Sequence, residues 1–489
     1  MKKCFRFFSL LIIMAVLFSF TTCLTAFAHS PYDVYNYDSH GFAVPSQAGY
    51  IAEKSVSGNT LGISDFNSPS DIFAADNGTI YIADTGNNRI VALNSELDSV
   101  INVYDTFYYE NGSKTVLSKP TGIYISSEKN LIYIADSENS RILVSDFKCN
   151  VIKEITKPDS AIYPQSSFHP LKVISDNAGN IYAVLGNITS GAAMFDADGK
   201  FIGFYGANRV DSQPNSIDNF VKKLFTTAKK KARQERNIPS AITNFDIDEK
   251  GFIFTCTQSA TQSCDIIKKL NSAGKNIFAD KDVIFGDITP VYDSTENIYY
   301  HTMINDIDVS SDGCINCLDL TTGRIFRYDE ECNLLFIMGT KAEQVGGFSN
   351  QVTAIESYED MLYVTDGLKN TVTFFRETPF GKTVHKAISL YNDGFYEEAL
   401  EPWYEVLRCD GNYRIAYLGV SVALLKKNDY KGAMEYAKLA ESSYYYNKAF
   451  EGWRNEFLKE NFTIIIAVIV ITISIISFII KRKKHKERS

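Results

Sequence analysis

The chain has 489 residues, 45% of them hydrophobic, and carries 49 Lys and Arg against 58 Asp and Glu, a formal charge of −9. That length predicts more than one domain. The acidic balance excludes the basic footprint that nucleic acid requires, so no nucleic-acid partner is expected.

The first predicted element is a leader. Lys2, Lys3 and Arg6 precede an apolar stretch from Phe7 to Phe20 and then Ala26-Phe27-Ala28, the pattern of a secretory signal peptide over residues 1–28. The mature chain is then expected to begin at His29. Phe20-Thr21-Thr22-Cys23 fits a lipoprotein signal poorly, since the residue before the cysteine is not small enough and nothing Leu-like stands three before it. Setting aside the three basic residues of the leader, and six basic and one acidic in the last nine residues, leaves 40 basic and 57 acidic residues, a balance of −17. Seven cysteines remain, at 149, 256, 264, 314, 317, 332 and 409, an odd number that implies no dense disulfide framework. Cys314-Ile315-Asn316-Cys317 reads as two ordinary thiols on a strand, because no second pair stands at zinc spacing.

Residues 29–64 form an N-terminal segment, of which 32–56 can supply an outer strand to the β-rich region downstream. Repeats organise that region, from 65 to 380. SPSDIFAADNGTIYIADTGNNRIVALN (68–94) is echoed by KPTGIYISSEKNLIYIADSENSRILVSD (119–146), with Asp84 to Asp136 and Arg89 to Arg141 both offset by 52 residues. Weaker copies begin at 169, 242, 304 and 352. Each alternates apolar and polar residues in short runs joined by turn residues, the pattern of antiparallel meanders. Six such copies predict a propeller with one blade per repeat, because a lone blade has two apolar faces and buries them only against neighbours. Asp84 and Arg89 then read as flanks of a strand-joining turn rather than as catalytic groups, since the aspartate recurs at 136, 319 and 366.

The motif of proline, turn glycine or asparagine, Ile-Tyr-Ile-Ala-Asp and Arg-Ile resembles the NHL repeat. Copies one and two match closely, copy five keeps Asp319 and Arg324, copy six keeps Asp366 with Thr371 in place of arginine, and copies three and four lose both. The resemblance implies a six-bladed β-propeller and leaves function open, because the same fold hosts RNA readers, lyases, lactonase relatives and sensors.

Lactonase-type relatives would hold a metal at the position after the blade-opening proline, which here reads Ser70, Thr121, Leu171, Thr243, Asn305 and Thr353. Only Asn305 suits a hard cation. The next position reads Asp71, Gly122, Lys172, Asn244, Asp306 and Ala354. His169 and His301 fall near the same mouth without a third zinc ligand. Asp71, His169, Lys172, Asn244, Asn305 and Asp306 are therefore a candidate binding surface, with no catalytic, metal or cofactor assignment. Asp246 and Asp308 read as turn and strand residues.

An insertion at 215–239 carries the helical stripe Phe220, Val221, Leu224, Phe225, Ala228 and Ala232. Its basic residues Lys222, Lys223, Lys229, Lys230, Lys231, Arg233 and Arg236 face one acidic residue, so this helix either packs with a solvated basic face or contacts an anionic surface. After Pro379 the period becomes helical. Residues 387–407 superpose on 421–441 with a shift of 34, placing Ala399 on Ala433, so 383–460 resembles tetratricopeptide (TPR) hairpins that lean on the propeller or a partner. Phe462 to Ile480 is uncharged and spans about 28 Å, a membrane helix. Lys481-Arg482-Lys483-Lys484 comes next, which places the tail 481–489 in the cytoplasm and the rest outside.

The expected fold is mainly β, a six-bladed NHL-like propeller followed by TPR-like helices and one transmembrane helix. The expected function is a non-catalytic, membrane-anchored scaffold or binding protein working with envelope proteins. The arrangement resembles NHL-repeat membrane proteins of anaerobic Gram-positive bacteria thought to accompany sugar-uptake ABC transporters. The alternative is an enzyme at the propeller mouth, a lactonase-like hydrolase or a lyase. Ligand and oligomeric state are not written in these motifs.

Overall fold

The structure is a computed structural model that describes residues 32–164, 166–208, 240–259, 265–281, 283–293 and 297–486. The expected leader 1–28 and basic insertion 215–239 lie outside the described residues.

Period-two alternation sorts each strand's side chains to two faces, and the ring results from that sorting. In the second strand of blade one (Ile80–Asp84), Ile80 and Ile82 enter a core shared with blade six, while Tyr81 and Ala83 enter a core shared with blade two. Blade two repeats the division, with Ile132 and Ile134 facing blade one and Tyr133 and Ala135 facing blade three. Six such inter-blade cores close the circle. Turn residues permit the hairpins: Gly78 sits at φ +78° and donates its N–H to Ala75 O at 2.8 Å, and Asn130 at φ +54° takes that place in blade two.

The blades open on strands Asp71–Ala74, Pro120–Ser126, Pro170–Ser175, Asn244–Ile247, Ile304–Val309 and Val352–Tyr358, and each continues outward as an antiparallel meander. Blade four has three strands among the described residues, and its outer side is covered by a segment whose Phe278 and Phe285 enter the core with blade five. Blade six takes its fourth strand from the N-terminal segment: Tyr50–Val56 pairs antiparallel with Thr371–Glu377, so the first and last parts of the propeller close one sheet.

The recurring aspartates are fully buried turn anchors. Asp84 accepts from Asn67 N and from Asn87 Nδ2 and Arg89 Nε, and Asp136 accepts from Ser118 N and from Asn139 Nδ2 and Arg141 Nε, all at 2.7 to 2.8 Å. Each carboxylate therefore ties a turn to the loop entering its own blade. Asp319 and Asp366 do the same with Met303 N and Ser349 N. In blade five the arginine departs from the pattern: Arg324 donates to Asp287 at 2.6 Å instead of to Asp319.

Among the described residues, five α-helices come after the propeller: α1 Pro379–Asn392, α2 Tyr396–Cys409, α3 Arg414–Lys426, α4 Tyr430–Leu439 and α5 Ser443–Lys486. Thr378 caps α1 by accepting from Gly381 N at 3.0 Å, with Pro379 at the first helical position. Ala399, Trp403, Tyr413 and Val420 share one core with Phe336 and Phe375 of blades five and six. Tyr413 Oη donates to Leu335 O at 3.1 Å, and Asp410 accepts from Ser46 Oγ at 2.6 Å. The helices thus pack on the propeller over both apolar and polar contacts. Within α5, Ser443–Ile480 is long and apolar enough to cross a membrane.

Candidate functional site

Four of the six residues at the position after the blade-opening proline act as stitches to the next blade, while Leu171 has no polar side chain and Thr243 Oγ1 accepts from Gln258 N of its own blade. Ser70 Oγ donates to Thr121 O and Thr121 Oγ1 to Pro170 O, both at 3.2 Å, while Asn305 Nδ2 reaches Val352 O and Thr353 O at 3.2 and 3.1 Å. Thr353 Oγ1 donates to Pro69 O at 2.9 Å and ties blade six to blade one. Thr353→Val keeps the shape and removes that bond. It is expected to lower unfolding free energy by about 1 kcal/mol, read as a shift in the urea midpoint with an unchanged m-value.

One residue further along, the channel is crossed by polar pairs. Lys172 Nζ forms an ion pair with Asp71 Oδ1 and donates to Ser70 O at 3.2 Å. The other Asp71 oxygen accepts from Ile123 N at 2.8 Å. Opposite, Asn244 Nδ2 donates to Asp306 Oδ1, and Asp306 Oδ2 accepts from Ile355 N at 2.7 Å. Burial works against the Lys172 charge, but the carboxylates of Asp71 and Asp306 outweigh it and raise the ammonium pKa. Burial pushes Asp306 up to about 7, with Lys172 opposing. Of the six residues expected to form a mouth surface, Asp71, Lys172, Asn244 and Asp306 are thus brought together as a largely buried belt. Asn305 serves as a stitch, and His169 lies against Gly186.

Two residues beyond the belt, the innermost strands carry Phe73, Tyr124, Ile174, Asp246, Asp308 and Glu356. Asp246, Asp308, Glu356, Phe73 and Tyr124 line a cavity of 580 Å³ toward the far ends of those strands. Its rim adds Asp76, Glu128, Asp248, Glu249, Glu330 and Glu359, with Lys250 the lining lysine. A 30 Å³ chamber shares Asp246 and Glu356 with this cavity and reaches Asp71, Lys172, Asn244 and Asp306. Backbone and side-chain donors hold the inner acids. Asp246 accepts from Ile247 N and Val309 N at 2.7 Å, Asp308 from Asn316 Nδ2 at 2.6 Å and Ser357 N at 3.1 Å, and Glu356 from Ala74 N at 3.1 Å. Burial, then the neighbouring carboxylates, raises Asp246 and Glu356 well above the ordinary carboxylate range, and burial also raises Asp308. Confined acids beside aromatic faces favour cations over anions.

The sequence places Asp246 and Asp308 as turn and strand residues and does not single out Glu356; the structure keeps both aspartates on strands and turns all three acids into the channel. The signal was the alternation Asn244, Asp246, Asp248 and Asp306, Asp308, which puts one face of each innermost strand into the channel.

Among the described residues, one group of three potential metal ligands has its ligand atoms within 4.8 Å of one another: Asp312, Cys314 and His385. It lies where α1 meets blade five, not in the channel. The donor set does not fit a metal, because the buried Arg327 guanidinium already occupies it: Nε donates to His385 Nε2 at 3.0 Å and Nη2 to Asp312 Oδ2 at 2.8 Å. His385 Nδ1 is turned to Glu377. Cys314 and Cys317 are free, buried in different cores, as two unlinked thiols.

Residues 66–93 and 117–144 match the NHL repeat model, the two copies with the clearest turns. No curated protein matches the chain in sequence. Among solved structures it is similar to virginiamycin B lyase from Staphylococcus aureus, at 9% identity and a TM-score of 0.41, covering 67% of this chain and 100% of that one. A streptogramin B lyase structure shows 11% identity and a TM-score of 0.41, over 68% and 100%. Kuenenia stuttgartiensis hydrazine synthase shows 13% and 0.36, over 64% and 97%. Likeness at this level assigns neither activity nor ligand.

Proposed function

We propose that the chain is a membrane-anchored, extracytoplasmic binding protein: leader 1–28, propeller 65–380 closed by the 29–64 segment, TPR-like helices 383–460, span 462–480 and cytoplasmic tail 481–489. The axial acidic cavity carries this reading. It has the volume for a small ligand, and its inner carboxylates and aromatic walls suit an organic cation or a basic side chain of a protein partner. The polar residues at the opposite end of the channel are engaged in stitches and pairs, which supports binding over metal-assisted hydrolysis. The helices and the basic segment 215–239 supply further surface for envelope partners, a sugar-uptake ABC transporter among them.

Titration calorimetry of the full chain in nanodiscs, with spermidine as the cationic probe, tests the cavity. At a pH high enough to ionise wild-type Glu356, Glu356→Gln is expected to weaken binding about tenfold, or ~1.4 kcal/mol, because the amide mimics the protonated acid. Wild-type binding should strengthen as pH rises, because the raised Asp246, Asp308 and Glu356 then ionise. Equal affinity in wild type and variant would remove the cavity from the reading. Stoichiometric calcium or zinc in the purified protein would turn it toward the lactonase-like or lyase alternative.

A further inference from the structure

The direction of α5 orients the helices relative to a bilayer. The end of α2 and the start of α3 lie at the propeller side, where Tyr413 meets Leu335 and Asp410 meets Ser46, and Arg414 Nε donates to Ala440 O at 3.0 Å, which brings the end of α4 and the start of α5 to the same end. The α1–α2 and α3–α4 turns therefore lie at the opposite end. They are neighbours there: Lys427 Nζ stands 3.7 Å from Glu397, and Lys426 Nζ lies 5.3 Å from the Tyr396 ring centre. α5 starts at the propeller side, packs Gly452 against Tyr430 at the turn end, and continues without a break into the apolar stretch.

The spacing can be counted along that helix. A hydrocarbon core of about 30 Å takes about 20 residues, so a span ending before Lys481 starts near Asn461. Gly452 then stands about 14 Å above the hydrocarbon edge, of which the headgroup layer fills about 5 to 7 Å. The remaining gap of roughly 7 Å is what a lysine side chain or a modest helix tilt bridges. Phe395 is at the tip of the α1–α2 turn and 54% exposed, an apolar side chain that the described residues leave uncovered. Phe457 and Leu458, also exposed, fall inside the headgroup layer on the same count.

We infer that the turn end of the helical module, Phe395 with Lys427 and Lys431, rests on the outer headgroup surface of the membrane, holding the propeller on the distal side. This rests on the membrane-anchor reading. The contact is set by helix continuity rather than by net charge, since Asp393, Glu397, Glu398 and Asp429 share the turns with the lysines. It takes zwitterionic headgroups as well as anionic ones.

The test uses the full chain in vesicles of phosphatidylcholine, and of phosphatidylcholine with phosphatidylglycerol, carrying p-benzoylphenylalanine in turn at Phe395, Lys431, Leu439 and Ile469. Leu439 is equally exposed, at 57%, but sits at the propeller end of α4. After irradiation, lipid adducts are expected at 395 and 431 at least tenfold above those at 439, at similar levels in both vesicles. Adducts at 469 alone, or equal labelling at 395, 431 and 439, would overturn the inference and leave the anchor standing. A more than tenfold gain restricted to the anionic vesicles would overturn the charge-independent contact. Absence of adducts at 469 would overturn the anchor reading and this inference with it.

Discussion

Lys172→Met is expected to destabilise the chain by ~3–5 kcal/mol at pH 7.5, because breaking a buried pair strands its partner. Lys172 faces Asp71 directly and Asp306 across the channel, so the variant leaves two carboxylates in a site built around one ammonium. The sign with pH depends on the groups involved. A lysine whose folded pKa is raised adds stability that is full below its unfolded pKa and lost as pH rises through the folded value. That loss belongs to the alkaline limb, above the ordinary lysine range. Asp306 is raised to about 7, so it adds stability that is full below the unfolded carboxylate pKa and fades as pH rises through 7. In the variant both carboxylates protonate more easily, so its deficit should shrink toward pH 4, where neither partner is charged. Urea unfolding at pH 4.5, 6 and 7.5 reads this directly. Asp71→Asn combined with Lys172→Met should recover at least half of the loss at pH 7.5, since of the two carboxylates only Asp306 then lacks its cation. A deficit below 1 kcal/mol at pH 7.5, or one that grows toward pH 4, would show that the belt is solvated and not a pair.

The fold was legible because repetition made it so. Asp84, Asp136, Arg89 and Arg141 stand at one offset, and the structure gives each aspartate the same turn and the same loop to hold. The functional positions were less legible, for a physical reason. The residue after the proline was expected to face the mouth, yet at Ser70, Thr121 and Thr353 the hydroxyl is consumed by the next blade's carbonyl, a partner 49 to 284 residues away in sequence. Asp71 and Lys172 are 101 residues apart, and no local pattern announces a pair at that separation. Asp246 and Asp308 read as strand residues, which they are, but the ring turns that strand face inward, and only closure reveals it. His385 stands in the sequence without a neighbouring partner motif; its meaning depends on α1 docking against blade five.

That docking gives the second large effect. Arg327 is 2% exposed and donates to His385 of α1, to Ser310 Oγ and Asn316 Oδ1 at 2.9 Å, and to Asp312, with its guanidinium 5.4 Å from the ring centre of Tyr50, where the closing strand begins. One side chain therefore joins blade five, the closing strand of blade six and the first helix. Arg327→Met fills most of the volume but leaves the buried Asn316 carbonyl oxygen without its arginine donor and Asp308 beside it without a nearby cation. The expected loss is ~3–5 kcal/mol. It should be unevenly distributed, with hydrogen exchange accelerating in α1 and in Tyr50–Val56 before the core strands of blades one to three. Arg327→Lys keeps the charge but cannot fork to four acceptors, so it should recover less than half. Zinc supplies the decisive control. With the guanidinium gone, Asp312, Cys314 and His385 remain within ligand distance of one another, and a metal-binding origin for this cluster predicts that zinc restores the variant. An arginine-centred junction predicts that zinc leaves its urea midpoint where it was, because a metal on Asp312, Cys314 and His385 supplies no donor to Ser310 Oγ or Asn316 Oδ1.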